Sequence, residues 1–369
     1  MKRSLSPRRS NVKANLSPKE NGQAKLLLAW YDKHRRSMPW RALPGLQPNP
    51  YYVWLSEIML QQTTVVTVGP YFQRFIERWP TLEAFITASL DDIMQMWAGL
   101  GYYRRARLLY QCAQYIKTEG GGHFPQTYEQ LLDLPGFGPY TAAAVAAIAF
   151  NQRANVVDGN VERVVCRLFA LREPLTRIKS RIRFLAEELL PGARYGDYAQ
   201  GLMDLGATIC TPVNPKCDVC PWKLYCQSNA LGLTNTLPRR LKAVSKPIRR
   251  TFAFVLYNKK KALFLRKREA KGLLGGMMEV PTSCWINGPM PSFKDVLSEA
   301  PIQARWSVKP GYIRHVFSHF ELQVTIATAT VNKDSIKKLD GRWVAYEDLA
   351  NEALPSLMRK IIHAAQESI

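Results

Sequence analysis

Four cysteines crowded into one short segment constrain this chain more than any other feature. They follow the pattern Cys210-x6-Cys217-x2-Cys220-x5-Cys226, after a segment with helical periodicity. Such a density of thiols indicates a metal site in a reducing compartment rather than a disulfide framework. The spacing leaves two metals open, because four thiolates suit a zinc ion as well as an iron–sulfur cluster. A single short Cys-x2-Cys pair favours iron–sulfur, since zinc sites usually show two such pairs.

The charge balance predicts a polyanionic partner. The chain has 369 residues, with 51 Lys and Arg against 29 Asp and Glu, for a formal net charge of +22. Nucleic acid or an anionic membrane surface would satisfy this excess, and the missing amphipathic aromatic face disfavours the membrane. No apolar stretch is long enough to span a bilayer and no signal core follows the first basic residues, so we expect a soluble, intracellular protein.

The hydrophobic pattern divides the chain into four parts. Residues 1–23 are a basic tail, expected to be a disordered arm, with an organelle transit peptide as the alternative. Residues 24–230 are helical throughout, and residues 231–250 are a basic, Pro-containing linker able to touch phosphates. Residues 251–369 change to an α+β texture, with strands expected at 251–257, 262–266 and 321–331. The predicted fold class is therefore a mainly α region followed by a smaller α+β domain.

A Gly-rich turn is the second strong motif. The segment Leu134-Pro135-Gly136-Phe137-Gly138 lies between a short helix and an alanine-rich helix that begins near Pro139. This pattern indicates a helix-hairpin-helix, in which the amides around Gly136 and Gly138 bind a phosphate without reading a base. An ordinary tight turn is the alternative.

Two carboxyl groups are candidates for acid–base chemistry. Glu57 lies amid apolar residues in a helix that Asn49-Pro50 starts; it is either a surface residue or, if buried, a proton donor whose pKa burial raises. Asp158 comes just before a helix at 161–171 and would by itself be an N-cap. Together they would form the acid-and-carboxylate pair that cleaves glycosidic bonds.

With these residues the chain resembles the helix-hairpin-helix DNA glycosylases that hold an iron–sulfur cluster, and among them the adenine glycosylases of the MutY type. The resemblance is close over residues 24–230 and looser in the C-terminal domain. The shared motifs are Met38-Pro39-Trp40-Arg41, the segment from Trp54 to Thr63, Leu100-Gly101-Tyr102-Tyr103, the hairpin, Asp158-Gly159-Asn160, the cysteine spacing and Phe317-Ser318-His319-Phe320.

The resemblance implies a base-excision repair enzyme that removes adenine opposite 8-oxoguanine or guanine in double-stranded DNA. It implies one [4Fe–4S] cluster on the four cysteines, a monomer, and a cytoplasmic, nucleoid-associated location. Glu57 would protonate the flipped adenine and later activate water, and Asp158 would stabilise the sugar cation. Tyr140 and Asn160 would support the carboxyls and the sugar, although Tyr140 could also simply pack at its helix start.

DNA contacts are implied for three further groups of residues. Gln62 and Tyr102 would fill the gap left in the base stack. The Phe317-Ser318-His319 tip would read oxidised guanine through Ser318, with a plain β-turn as the alternative. Arg36, Trp40 and Arg41 would form the adenine pocket and a backbone contact, although the loop 42–49 is longer than the family leads us to expect. A further basic run, Arg104, Arg105 and Arg107, is expected to capture duplex DNA or to form a solvated face.

Two features bear on competing functions. The C-terminal domain looks like a Nudix fold at residues 272–277, but residues 293–299 lack the arginine and the run of glutamates that would hold magnesium, so triphosphate hydrolysis is not expected. Lyases similar to endonuclease III carry a Schiff-base lysine where this chain has Tyr140, so we predict a monofunctional glycosylase. The remaining alternatives are an oxidised-pyrimidine glycosylase-lyase and a non-enzymatic mismatch-binding module.

Overall fold

Segments far apart in the sequence combine into two units. The computed structural model describes residues 22–239, 241, 245–332 and 339–366. Within these, unit 1 comprises 22–37, 126–128 and 142–239, and unit 2 comprises 38–125, 129–141 and the described residues from 241 onward. Residues 1–21 of the predicted basic tail lie outside the described residues.

The helices of the described chain are α1 (Gly22–His34), α2 (Pro50–Leu60), α3 (Val65–Arg78), α4 (Leu82–Ile86), α5 (Leu90–Trp97), α6 (Arg104–Thr118), α7 (Tyr128–Leu132), α8 (Pro139–Phe150), α9 (Gly159–Leu168), α10 (Lys179–Glu188), α11 (Tyr195–Thr208), α12 (Gln227–Ala230), α13 (Phe293–Val296) and α14 (Ser356–Gln366). The strands are β1 (Ile248–Asn258), β2 (Leu263–Lys267), β3 (Met278–Glu279), β4 (Ile286–Asn287), β5 (Ser307–Val308), β6 (Ile313–Val316), β7 (Glu321–Val331) and β8 (Arg342–Val344).

Unit 1 packs around α9 and α11. The apolar positions of α9 recur at helical spacing, and its buried face includes Val161, Val164, Val165 and Leu168. A glycine brings α11 against the first turn of α9, because a Cβ at Gly206 would lie 2.7 Å from the Cβ of Asn160. The site residues at the start of α9 therefore sit on a close helix crossing.

The helical part of unit 2 has an aromatic core. Trp54 of α2 packs edge-on against Phe85 with centroids 6.0 Å apart, and Phe75 meets Trp97 in the same way at 5.9 Å. These rings are almost fully buried. Because α2 carries one of them, the core fixes α2 and the residues that follow it.

A mixed sheet forms the rest of unit 2. Strand β1 runs parallel to β7 along its whole length, from Ile248 opposite Glu321 to Asn258 opposite Val331. Strand β6 is antiparallel to β7, and α14 packs against this part of the sheet. The predicted strands at 251–257, 262–266 and 321–331 are confirmed, and β1 and β2 pair as expected. Strand β1 starts at Ile248, inside the segment predicted as linker, and Leu237 of that segment is also buried, because both positions find apolar or sheet partners.

The sheet and the helices of unit 2 touch through polar contacts. Gln95 donates to the carbonyl of Asn351 at 2.6 Å, Lys267 pairs with Asp91, and Arg107 donates to the carbonyl of Gly275. None of the described helices combines the length and apolar character that crossing a membrane would need.

Candidate active site

Glu57 is a buried carboxyl in α2. Asn49 caps this helix by accepting from the Tyr51 amide at 2.9 Å, and Pro50 occupies its first turn, as predicted. Only 7% of Glu57 is exposed. The Tyr140 hydroxyl, at the start of α8, donates to Glu57 Oε2 at 2.8 Å. The alternative of a surface carboxylate is therefore wrong, because the helix turns Glu57 toward the interior of unit 2.

Asp158 has both carboxylate oxygens engaged. Oδ1 accepts from the Val161 amide at 2.7 Å, which caps α9, and Oδ2 accepts from Asn160 Nδ2 at 2.9 Å. The N-cap interpretation is thus correct. A carboxylate that caps a helix N-terminus is held in a fixed orientation, which is also what a stabiliser of positive charge needs.

Buried arginines on α9 connect this carboxylate to the cysteine segment. Arg163 donates to Asn160 Oδ1 at 2.9 Å and to the carbonyls of Gly206 and Cys210. Arg167, one turn later and 1% exposed, donates to Cys210 Sγ at 3.3 Å. Sequence reasoning missed both residues. Their signal was the spacing of two arginines four positions apart on the apolar face of a helix.

The hairpin between α7 and α8 has the geometry expected of its motif. Leu134 and Phe137 are buried, and the Phe137 amide bonds the Leu134 carbonyl at 3.1 Å. Gly136 has φ +82, and a Cβ there would lie 2.8 Å from Leu108 Cβ, so glycine is required. No atom lies within 4 Å of a Cβ built at Gly138, which leaves this backbone open.

Two exposed residues stand on left-handed turns. Gln62 follows α2 with φ +57, and Tyr102 precedes α6 with φ +49. Both lie in unit 2 with the Phe317–Phe320 turn, and the hydroxyls of Tyr102 and Ser318 are 2.6 Å apart. The structure therefore joins a predicted stack-filling residue to the predicted base-reading tip.

The tip itself is the turn of the β6–β7 hairpin. The Phe317 amide bonds the Phe320 carbonyl at 2.9 Å, and the two rings are 4.8 Å apart. Lys246 also donates to the Phe317 carbonyl at 2.8 Å. Packing of Phe317 leaves Ser318 and His319 exposed at the tip.

The residues predicted to form the adenine pocket and the basic DNA contacts differ in how far they are buried. Arg36 forms an ion pair with the fully buried Asp204, at 2.6 Å. Trp40 is buried against Phe72, and Arg41 is half-buried. The prediction that Arg105 belongs to a DNA-capturing surface is wrong, because its side chain is buried; Arg104 is exposed.

Three of the four clustered cysteines, Cys210, Cys220 and Cys226, pack against the core of unit 1. Burial, above all, raises the pKa of the Cys220 thiol to about 11, and the other three thiols of the set raise it further. Arg167 contacts two of these thiols, because its guanidinium donates to Cys210 Sγ and its carbonyl accepts from Cys226 Sγ at 3.5 Å. In the described part of the chain no three Cys, His, Asp or Glu side chains form a closed ligand set. Four thiols within one segment, with a guanidinium donating to one of the sulfurs, nevertheless fit an anionic thiolate cluster.

Family models match three parts of the chain. Residues 55–191 match the HhH-GPD superfamily base excision DNA repair protein, 210–226 match the iron-sulfur binding domain of endonuclease III, and 252–364 match the NUDIX domain. The solved structure of a thermostable thymine-DNA glycosylase is 31% identical with a TM-score of 0.50, and covers 56% of this chain and 95% of that one.

Curated relatives match almost the whole chain. The adenine DNA glycosylase of Mus musculus is 34% identical over 92% of this chain and 77% of its own length. The enzyme of that name from Homo sapiens is 35% identical over 92% of this chain and 73% of its own. The one from Buchnera aphidicola (strain Bp) is 33% identical over 91% and 94%.

This chain belongs to the adenine DNA glycosylases. It is a DNA-binding base-excision repair enzyme, and its predicted class of a helical region followed by a Nudix-like domain is confirmed. Through their match to the iron-sulfur binding domain of endonuclease III, residues 210–226 are assigned an iron–sulfur cluster.

Proposed function

We propose that this enzyme hydrolyses the N-glycosidic bond of adenine opposite 8-oxoguanine or guanine and leaves an abasic site. The observation that carries the proposal is the buried Glu57 carboxyl with the Tyr140 hydroxyl at 2.8 Å. A carboxyl removed from bulk water can deliver its proton to a bound base rather than to solvent.

The proposed reaction uses the two carboxyls in turn on one flipped nucleotide. Glu57 gives its proton to a ring nitrogen of adenine while the C1′–N9 bond breaks and its electron pair leaves with the base. Asp158, oriented by Asn160 and by the α9 amides, stabilises the sugar cation or bonds to it transiently. Water then adds to C1′ and returns one proton to Glu57, so the enzyme is regenerated.

Single-turnover kinetics test this assignment. Glu57→Gln should bind mispaired DNA with nearly unchanged affinity but release adenine at least about a thousandfold more slowly. The matched control is Glu77→Gln, an exposed glutamate on α3. If Glu57 and Asp158 act in one step, adding Asp158→Asn should slow Glu57→Gln by far less than it slows the wild type. Near-normal rates in Glu57→Gln would contradict the acid role.

We further propose a monofunctional enzyme, because Tyr140 occupies the position of the lyase lysine. Borohydride should then trap no covalent adduct with DNA, and strand breaks should appear only after hot alkali.

The hairpin amides at Gly136 and Gly138 would hold a phosphate, and the Ser318 tip would read the oxidised guanine. Rates with adenine opposite 8-oxoguanine, guanine and thymine should fall in that order, and Ser318→Ala should reduce the first most.

We infer that the cluster is one [4Fe–4S] centre on Cys210, Cys217, Cys220 and Cys226. It would fix the loop of unit 1 that Arg167 holds, and we assign it no step of the reaction. Purified protein should be brown and contain about four irons and four acid-labile sulfides per chain. A colourless protein with one zinc ion would reject this cluster type.

A further inference from the structure

Gln62 and Tyr102 share an unusual backbone conformation. Both are non-glycine residues in the left-handed region, which costs on the order of 1 kcal/mol each, and both are exposed. The contact of the Tyr102 hydroxyl with Ser318 involves only one of the two residues, so a support shared by both turns is to be sought beneath them.

The guanidinium of Arg105 lies beneath both turns. It comes from the first turn of α6 and is 7% exposed. Its Nη1 faces the end of α2, and its Nη2 faces the turn before α6. The acceptors are the carbonyls of Ile58 (3.0 Å), Met59 (2.7 Å), Gln61 (2.5 Å), Leu100 (3.2 Å) and Gly101 (3.1 Å), with the Thr63 hydroxyl (3.2 Å).

Two of these carbonyls immediately precede the left-handed residues. Gln61 comes directly before Gln62, and Gly101 directly before Tyr102. One planar group thus fixes both peptide planes from which the exposed residues project. The Arg105 guanidinium carbon also lies 5.4 Å from the Tyr102 ring centroid and 5.3 Å from that of Trp97.

The buried charge is balanced by dipoles and ring faces. Every acceptor of the Arg105 guanidinium in the described residues is a carbonyl or hydroxyl oxygen, and the α2 carbonyls are at the negative end of that helix. Burial lowers the pKa of Arg105 to about 10, so it remains a cation at neutral pH. If one turn opened, the buried Arg105 cation would lose the oxygen acceptors that this turn supplies. The free energies of the two turns are therefore coupled.

We propose that Arg105 is a positioning residue that locks Gln62 and Tyr102 into one rigid pair, which enters the duplex as a unit when adenine leaves the stack. The inference rests on the proposed function and on the role that the family resemblance implies for these two residues, which is to fill the gap in the stack. Rigid support removes the entropy cost of ordering two separate turns on DNA. Lysine cannot replace Arg105, since a compact ammonium cannot span two sets of carbonyls.

Base extrusion tests the proposal directly. Full-length protein carrying Glu57→Gln is mixed with a duplex that has 2-aminopurine opposite 8-oxoguanine, and the rise in fluorescence reports the flipped base. Adding Arg105→Lys should lower the equilibrium constant for base extrusion by about tenfold, while the Kd for undamaged duplex changes by less than about twofold. The matched control is Arg181→Lys, an exposed arginine on α10 that pairs with Glu173 and has no assigned role on DNA, and it should leave both unchanged.

A purely structural role for Arg105 gives a different result. Arg105→Lys would then lower the melting temperature but flip the base normally in the folded protein, and that outcome would overturn the proposal. If Arg105→Lys yields no folded protein, the same extrusion assay on Thr63→Val tests the proposal, because this variant removes a single acceptor of Arg105 Nη2. A two- to fivefold loss of extrusion is expected of it, on the order of one weakened hydrogen bond, and no loss would overturn the proposal.

Gln62→Ala and Tyr102→Ala separate this inference from the proposed function. If both variants extrude the base normally, the assignment of these residues to the stack is wrong. If both fail to extrude it while Arg105→Lys succeeds, the stack-filling role stands and the Arg105 inference is wrong.

Discussion

Asp204 illustrates how single residues hold the site together. Its carboxylate is fully buried on α11 and accepts from the backbone amide of Arg36 at 3.1 Å and from its guanidinium Nε at 2.6 Å. One acid thereby fixes the residue that leads from α1 toward the Met38–Arg41 motif. Any role of Arg36 on DNA depends on this pairing.

Asp204→Asn should therefore destabilise the protein. The asparagine keeps the shape but leaves the guanidinium without its counter-charge, which we expect to cost roughly 1–3 kcal/mol, since Arg36 is partly solvated. Urea denaturation measures the loss. Asp197→Asn on the same helix removes an exposed ion pair and should cost less than about 1 kcal/mol. Equal losses for the two variants would contradict the special role of burial.

The ion pair of a second acid, Asp32, makes the free energy of unfolding depend on pH. Hydrogen bonds from Arg194 lower the pKa of Asp32 below its ordinary value of 3.8. A lowered folded-state pKa gives stability that is present above 3.8 and is lost as the pH falls below it. Asp32→Asn should cost roughly 0.5 kcal/mol at pH 7, because the pair is half-exposed, and the difference should shrink below pH 3.8. A difference that is constant with pH would contradict this account.

At the scale of elements, the crossing of α9 and α11 controls the proposed active site. The two helices are in close contact at Gly206, next to Asn160, which donates to Asp158. Space at this position, not backbone flexibility, is what the glycine supplies. The geometry of a carboxylate on one helix thus depends on a residue of another.

Gly206→Ala should slow adenine release more than it weakens DNA binding. The added methyl displaces Asn160 and turns Asp158 away, and we expect about a tenfold to hundredfold loss in single-turnover rate. Gly69→Ala is the matched control, because it also lies in a helix but no atom lies within 4 Å of its Cβ. It should be neutral or slightly stabilising. Unchanged kinetics in Gly206→Ala would show that the crossing does not orient Asp158.

The sequence predicted those elements whose signals are local. The cap at Asp158, the start of α2 at Asn49-Pro50 and the alternation of β7 each depend on a few neighbouring residues. The contact of Tyr140 with Glu57 joins residues 83 apart, and the burial of Arg105 depends on carbonyls of two distant turns. Charge in a sequence predicts exposure by default, so only the tertiary structure could show that Arg105 is buried.

For the whole molecule, the net charge of +22 predicts a strong salt dependence of DNA binding. Each phosphate contact releases counterions, so raising salt from about 50 to 200 mM should weaken binding to undamaged duplex by at least about a hundredfold. Removing residues 1–21, with six basic residues and one acid, should reduce the slope. A slope near zero in a salt titration would contradict electrostatic capture.

The indole of Trp222, in the cysteine segment, donates to the carbonyl of Gln23 in α1, 199 positions earlier, at 2.7 Å. A ribosome that makes about 5–20 residues per second therefore needs roughly 10 to 40 s between releasing the first partner and supplying the second. For most of that interval Leu27 and Tyr31, which end fully covered, remain exposed to water. The nascent chain therefore presents this apolar face of α1 to chaperones until α11, whose Gly201 packs on Tyr31, has been made, and a premature stop before α11 would leave that face uncovered.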